Sequence, residues 1–385
     1  ENSPSDWVRY GQTSSDDIIL MIWVDDILGD GPYETVHEFI ILLKKRFQCK
    51  DERWLTPGHT LDHVGIIISL NADNTLISMS MGYYIDKMVD AAGLQNASSL
   101  VSPDSSLRGI TDFTPLEDHL KPVFATTKGM VGWLSVTIRP DIAYYYSRAG
   151  QHSANPVVGA FDLIMNTIRY LKGTRDLGLQ AATKRESSDF QFFADSDHAG
   201  NSEPQNCRRS QMCLIITEGG APIEWKSTAT GSSKINGNFG DVNPPALSSG
   251  EAETMAASEA NKRILHLSYV VDELRLTDWP RPVPLHCDAS VALAFMANTG
   301  NRSRMRHIDV RQEWVKSLRD SDQIVGVKIG TDFNLADIGT KLLLTGTFTS
   351  FRDQLLKSVV LPSLMIKVIT ILARVSAKHF RDVFP

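Results

Sequence analysis

The stretch FADSDHAG, residues 193–200, decides how the second half of the chain folds. It lies in an apolar run that begins at Phe190, and it places the acids Asp195 and Asp197 directly after that run. A short apolar run that is followed by turn-forming residues predicts a β-strand. We therefore predict a strand at 190–194 that delivers Asp195 to one end of a sheet.

Further elements follow this strand. Two more strand-like runs lie at 212–217 and 223–226, and a long stretch at 251–274 repeats apolar residues at helical spacing. After it we predict a strand, two helices, a strand and a helix, at 283–287, 291–297, 310–318, 324–329 and 335–343. This order of elements predicts an α/β domain.

Four acids fall at the ends of these predicted elements, namely Asp195, Glu253, Asp288 and Asp337. Cleavage of a phosphodiester by two metal ions needs carboxylates that hold two hard cations about 3.5–4 Å apart. Without divalent cations, such carboxylates repel one another. Taken singly, each acid is more often a helix cap or a turn residue. Their placement at matching points of one framework favours the metal site.

Five motifs in this half resemble the ribonuclease H domain of copia-type retrotransposon polyproteins. They are FADSDHAG at 193–200 with RRS at 208–210, IEWKS at 223–227, LSSGEAETMAA at 247–257, RHID at 306–309 and NLADIGTK at 334–341. The resemblance implies that the catalytic metal ligands are Asp195, Glu253, Asp288 and Asp337. It also implies two Mg²⁺ ions as cofactors, which Mn²⁺ can replace, and an RNA–DNA hybrid as the partner whose RNA strand is cut.

The first half resembles the last part of the reverse transcriptase of the same polyproteins. The motifs are WVDD at 23–26, WL at 133–134, RPDIA at 139–143 and RYLKGT at 169–174. Asp25 and Asp26 would be the remnant of the polymerase motif. A polymerase palm needs a further Asp from an earlier strand, so we expect no polymerisation by this chain alone.

The resemblance implies a partial palm and connection, followed by a ribonuclease H-like domain with a central mixed five-stranded sheet flanked by helices. Trp23 stands in place of the usual Tyr of the palm motif, and Thr254 in place of an aromatic residue. These departures leave open a decayed remnant that binds hybrids without cutting them. An assembly module within a larger polymerase is also left open.

The charge balance predicts that any nucleic-acid surface is a local patch, since the net charge is −6 and the pI is about 5.9. Basic residues that could form such a patch are Arg208, Arg209, Arg302, Arg304, Arg306 and His307. An ordinary solvated face explains the three alternating arginines equally well. The four cysteines form no C-x-x-C pair, which argues against a zinc knuckle.

We expect three parts along the chain: a reverse-transcriptase part at 1–182, a ribonuclease H domain at 188–345 and a C-terminal tail at 346–385. The apolar stretch at 359–375 contains Pro362, Lys367 and Arg374, so we predict a packed tail and no membrane anchor. Partners would include upstream polyprotein segments, such as the fingers, the palm and an integrase. We expect a location in the cytoplasm, within retroelement particles, or in the nucleus, and no secretion.

Overall fold

The computed structural model of the protein describes residues 5–10, 18–23, 26–184, 189–200, 209–230, 246, 248–274, 279–297, 309–359 and 371–372. Its first unit is an antiparallel sheet of β1 (Ser5–Tyr10), β2 (Ile18–Trp23) and β3 (Asp26–Asp30). Helix α1 (Tyr33–Arg46) covers this sheet, because its buried apolar residues recur at helical spacing and pack against the inward side chains of β2. The apolar runs at 18–22 and 27–28 predict two strands joined by a polar turn, and the pairing of β2 with β3 confirms this hairpin.

A second antiparallel sheet and four helices follow. The strands are β4 (Thr60–His63), β5 (Ile66–Leu70), β6 (Leu76–Ser80) and β7 (Leu177–Ala182), in the order β7-β6-β5-β4. The helices are α2 (Gly82–Ala91), α3 (Lys121–Thr137), α4 (Ala143–Gly150) and α5 (Val158–Gly173), with a 3-10 turn at Pro140–Ile142 before α4. Apolar residues at helical spacing predict helices at 36–47, 126–135, 139–153 and 160–172, and α1, α3, α4 and α5 confirm them. The hairpin predicted from the runs 66–70 and 76–81 is confirmed as β5-β6.

A buried polar network ties this helical layer together. Arg139 is fully buried and donates to both carboxylate oxygens of Asp141, over 2.9 and 2.8 Å. It also donates to the carbonyl and the hydroxyl oxygen of Thr174, over 3.0 and 2.8 Å. The hydroxyl of Tyr170 donates to Asp141 over 2.5 Å. The network therefore joins the start of α4 to the end of α5.

The second half forms a five-stranded mixed sheet. Its strands are β8 (Phe190–Asp197), β9 (Gln211–Glu218), β10 (Ala221–Ala229), β11 (Val283–Cys287) and β12 (Ile324–Lys328), in the order β10-β9-β8-β11-β12. β8, β9 and β10 pair antiparallel, whereas β11 runs parallel to both β8 and β12. The accompanying helices are α6 (Ser249–Leu274), α7 (Ser290–Met296) and α8 (Asp309–Asp320). The predicted mixed sheet flanked by helices is confirmed.

The prediction of a helix at 335–343 is wrong. The structure has a 3-10 helix at Leu335–Gly339, and the next α-helix, α9 (Thr345–Leu355), begins six residues after that turn ends. A Cβ at Gly339 would lie 2.2 Å from Sγ of Cys213, so the backbone of the turn is pressed against β9. Only a residue without a Cβ fits this close to β9, and the 3-10 helix ends at this glycine. The chain becomes helical again at Thr345.

The last described segments return to the first half. α9 packs on the 3-10 turn before α4, and β13 (Lys357–Ser358) pairs antiparallel with β7. One hydrophobic core accordingly contains residues of both halves, among them Leu134, Ile164, Phe193, Ile215 and Phe348. A second core lies between the other face of the mixed sheet and α6, α7 and α8. A two-residue strand, β14 (Ile371–Leu372), pairs with β3.

The predicted division at 182, 188 and 345 stays a prediction. The segment 345–359, most of which lies in the predicted tail, packs into the core shared by both halves and pairs with β7. Within the described ranges, every helix is too short or too polar to cross a lipid bilayer.

Candidate metal centre

Three aspartates meet near the carboxyl ends of the neighbouring strands β8 and β11. One carboxylate oxygen each from Asp195, Asp288 and Asp337 lies within 4.8 Å of the other two. The parallel register sets Leu285 of β11 opposite Phe192 of β8, so Asp288, directly after β11, arrives level with Asp195. Asp337 is supplied by the 3-10 helix at Leu335–Gly339. Asp195 and Asp337 are buried and Asp288 is half-buried.

Side chains of the neighbouring turns hold these carboxylates. The hydroxyl of Thr331 donates to Asp288 Oδ2 over 2.9 Å, and the hydroxyl of Thr340 donates to Asp195 Oδ2. The amide of Asn334 donates to the carbonyl of Ala194 over 3.2 Å, and its side-chain oxygen caps the 3-10 helix at Ala336. These bonds fix the Asp337 turn against β8.

A lysine enters the cluster from the same turn. Nζ of Lys341 lies 2.8 Å from Asp337 Oδ2 and 3.9 Å from Asp195 Oδ2. Burial alone would lower the pKa of this ammonium group. The negative charges of Asp195, Asp337 and Asp288 raise it by more, so its pKa lies above the usual value. The ammonium group therefore stays charged and offsets part of the negative charge of the cluster.

Glu253 interacts with the same cluster from α6. Burial, followed by the negative charges of Asp195 and Asp288, raises the pKa of the Glu253 carboxyl from 4.5 to about 8. Burial and the charge of Asp195 likewise raise the pKa of Asp337 well above its usual range, although Lys341 opposes this rise. Glu253 is not one of the three aspartates that lie within 4.8 Å of one another, but their charges act on its carboxyl group.

The donor set fits hard divalent cations. All four acids offer carboxylate oxygens, which are the ligands that Mg²⁺ and Ca²⁺ prefer. Oδ1 of Asp337 is buried and has no hydrogen-bond partner among the described residues. A buried carboxylate oxygen without a partner is costly, and a cation in contact with it would remove that cost.

Several other predicted residues lie away from this cluster or outside the described part of the chain. Asp26 begins β3 in the first sheet, where it is paired with Trp23, and is not one of the three clustered aspartates. Arg209 is described and half-buried just before β9, and its contact with nucleic acid stays a prediction. The residues that fall outside the described ranges are Asp25, Arg208, Arg302, Arg304, Arg306 and His307.

No role was predicted for Thr331, Thr340 and Lys341. Thr340 and Lys341 belong to the motif NLADIGTK, but only Asp337 had a chemical reason to be chosen from it. Their position three and four residues after Asp337, on a tight turn, was the available signal. Thr331 carried no such signal, because its contact with Asp288 depends on the pairing of β11 with β12.

No family model matches the chain. A ribonuclease H1 solved in complex with an RNA/DNA hybrid is 14% identical, with a TM-score of 0.28. The match spans 40% of this chain and 94% of the ribonuclease H1 chain. A foamy viral protease–reverse transcriptase solved with double-stranded DNA is 10% identical, with a TM-score of 0.44, and covers 81% of this chain and 46% of its own.

Sequence relatives also cover most of the chain. The retrovirus-related Pol polyprotein from transposon TNT 1-94 of Nicotiana tabacum is 26% identical over 343 residues, which are 87% of this chain and 24% of that protein. The one from transposon RE1 of Arabidopsis thaliana is 26% identical over 343 residues, 88% of this chain and 21% of its own length. The chain thus spans about a fifth to a quarter of these curated relatives. Over most of its length, the chain is homologous to the Pol polyproteins of copia-type retrotransposons.

Proposed function

We propose that the second half of this chain is a metal-dependent ribonuclease H, which cuts the RNA strand of RNA–DNA hybrids. The observation that carries the proposal is the meeting of Asp195, Asp288 and Asp337 within 4.8 Å, with one oxygen of Asp337 buried and unpartnered among the described residues. Homology to Pol polyproteins supports the choice of substrate, because reverse transcription produces such hybrids.

In this proposal Asp195, Asp288, Asp337 and Glu253 hold two Mg²⁺ ions, and Mn²⁺ can replace them. The bound ions supply Lewis-acid stabilisation of the charge that develops on the reacting phosphate. The protein supplies the geometry: Thr331 orients Asp288, and Thr340 orients Asp195. Because the ligands are preorganised by hydrogen bonds, little rearrangement is needed at the moment of reaction.

Recognition of the substrate would rest on shape. The 2′-hydroxyls and phosphates of the RNA strand distinguish a hybrid from duplex DNA without reading bases, so sequence preference should be weak. The basic residues Arg208, Arg209, Arg302, Arg304, Arg306 and His307 are the proposed contacts with phosphates. We also propose upstream polyprotein segments as partners, and a location in the cytoplasm, in retroelement particles or in the nucleus.

The test is cleavage of a labelled RNA–DNA hybrid by amide variants. Replacing Asp195, Asp288 or Asp337 by Asn, or Glu253 by Gln, should lower the rate by about 100-fold or more, since losing an anionic ligand costs several kcal/mol at about 1.4 kcal/mol per tenfold in rate. Far-UV circular dichroism should show an unchanged fold.

Matched controls make this test specific. Glu259→Gln changes a half-buried acid of the same helix as Glu253, and Asp332→Asn changes an exposed acid close to Asp337 in the chain. Both should keep the parental rate. Cleavage by Asp195→Asn at that rate would refute the site, and a parent chain that binds hybrids without cutting them would favour the decayed remnant.

A further inference from the structure

The acid cluster already contains a cation of its own. Lys341 forms ion pairs with Asp337 at 2.8 Å and with Asp195 at 3.9 Å, so its ammonium group lies between two of the proposed metal ligands. Its charge also acts on Glu253. A single positive charge cannot neutralise this many carboxylates, but it lowers their mutual repulsion.

The lysine can leave the cluster more easily than the acids can. Its side chain is 35% exposed, whereas the side chains of Asp195 and Asp337 are 3% and 4% exposed. A lysine has a flexible four-carbon stem and a compact, strongly hydrated charge, so its ammonium group can move to water without a change in the backbone. The buried acids have no such freedom.

The turn that carries Asp337 does not depend on this ion pair. Asn334 caps the 3-10 helix and binds the carbonyl of Ala194, and Thr340 binds Asp195. Lys341 pairs with Oδ2 of Asp337, whereas Oδ1 is the atom left without a partner among the described residues. Oδ1 is therefore a carboxylate oxygen for which Lys341 does not compete directly.

We propose that Lys341 is the counter-ion of the metal-free centre: it holds Asp195 and Asp337 together before a divalent cation arrives and gives way to that cation. This rests on the proposed function, because the same acids are taken as metal ligands. Lys341 is a positioning residue in this scheme and touches no reacting atom. Its removal should have two opposite effects, weakening the metal-free protein and strengthening the binding of metal.

Two measurements on the full chain test the exchange. The first is the thermal midpoint in EDTA, where Lys341→Met should melt about 2 °C or more below the parent, because repulsion between the acids is no longer offset. The second is the affinity for Mg²⁺ alone, measured by calorimetric titration. Lys341→Met should bind Mg²⁺ about threefold tighter or more, since a competing positive charge has been removed.

Two further variants keep the test sharp. Lys341→Arg retains the charge and should match the parent in EDTA, which separates loss of charge from loss of fold. Lys262→Met removes an exposed lysine of α6 that pairs with Glu259, and it should change neither measurement. Both effects of Lys341→Met are required, so an unchanged midpoint in EDTA or an unchanged or weaker Mg²⁺ affinity overturns the proposal.

The outcome also separates this proposal from the one on which it rests. A parent chain that binds no Mg²⁺ would overturn both the exchange and the proposed metal centre. A parent that binds Mg²⁺ and cuts hybrids, together with a Lys341→Met variant that binds Mg²⁺ no tighter, would overturn the exchange alone.

Discussion

Replacing Arg139 by Met should destabilise the first half of the protein more than any surface substitution. The guanidinium group makes four hydrogen bonds, two to Asp141 and two to Thr174, and the side chains of Arg139 and Asp141 are both fully buried. Without Arg139, the Asp141 carboxylate would keep the hydroxyl of Tyr170 and lose the opposite charge. Breaking a buried ion pair on one side costs about 3–5 kcal/mol, against a usual domain stability of about 5–15 kcal/mol.

Urea unfolding followed by far-UV circular dichroism measures this loss. Arg175→Met is the matched control, because Arg175 makes the same two-bond contact with Asp86, over 2.7 and 2.6 Å. That pair is 37% and 48% exposed, so its loss should cost about 0–1 kcal/mol. The triple variant Arg139→Met, Asp141→Leu, Tyr170→Phe removes every charge of the network and should recover much of the stability.

The difference in stability loss between Arg139→Met and Arg175→Met shows whether burial sets the strength of the ion pair. If Arg139→Met costs less than about 1 kcal/mol, or no more than Arg175→Met, burial does not set the strength of this pair. If the triple variant is no more stable than Arg139→Met alone, the stranded charge of Asp141 is not the source of the loss.

Two further predictions concern the proposed metal centre and the nucleic-acid surface. The folded state holds the Glu253 proton with a pKa of about 8 against 4.5, so the contribution of this group to stability in EDTA should be complete below pH 4.5 and fall as the pH rises to about 8, by at most about 1.4 kcal/mol per pH unit. Urea unfolding at pH 5 to 8 should show a shallower fall for Glu253→Gln, and an equal slope would count against the shift. Changing Arg302, Arg304 and Arg306 together to Ala should weaken hybrid binding alike across sequences and flatten its logarithmic salt dependence by about 0.9 per lost phosphate contact, and by less for single-strand-like contacts. An unchanged slope in a salt titration would mean that these arginines do not contact phosphates and lie on an ordinary solvated face.

Local patterns predicted the elements that carry strong periodicity. The strand Val283–Cys287 was predicted with the bounds that the structure shows, and α6 begins two residues before its predicted start. β4, β7 and α9 were not predicted, because β4 and β7 acquire their structure from strand partners and α9 from packing on distant residues. Short segments of this kind have little local signal.

The acids of the site were predictable in part. Residue chemistry and order made Asp195, Asp288 and Asp337 candidates, and the resemblance to the copia-type ribonuclease H implied that they are metal ligands. The fold brings the three together. The helix expected to carry Asp337 is a 3-10 turn, because contact between Gly339 and β9 overrides the helical pattern of the sequence. The position of Lys341 between two acids depends on that turn, so its spacing of four residues from Asp337 was the only sign of it in the sequence.

The pairing of β13 with β7 means that the chain leaves and rejoins the first half at one place. Lys357 is opposite Gly178, and the amide of Val359 donates to the carbonyl of Asp176 over 2.8 Å. A Cβ at Gly178 would lie 2.1 Å from the carbonyl oxygen of Met79, so this crossing point has room only for a glycine. The chain segment between β7 and β13 therefore begins and ends on neighbouring strands. Its length can therefore vary without redirecting the strands on either side, provided that its side chains still fill the core shared by both halves.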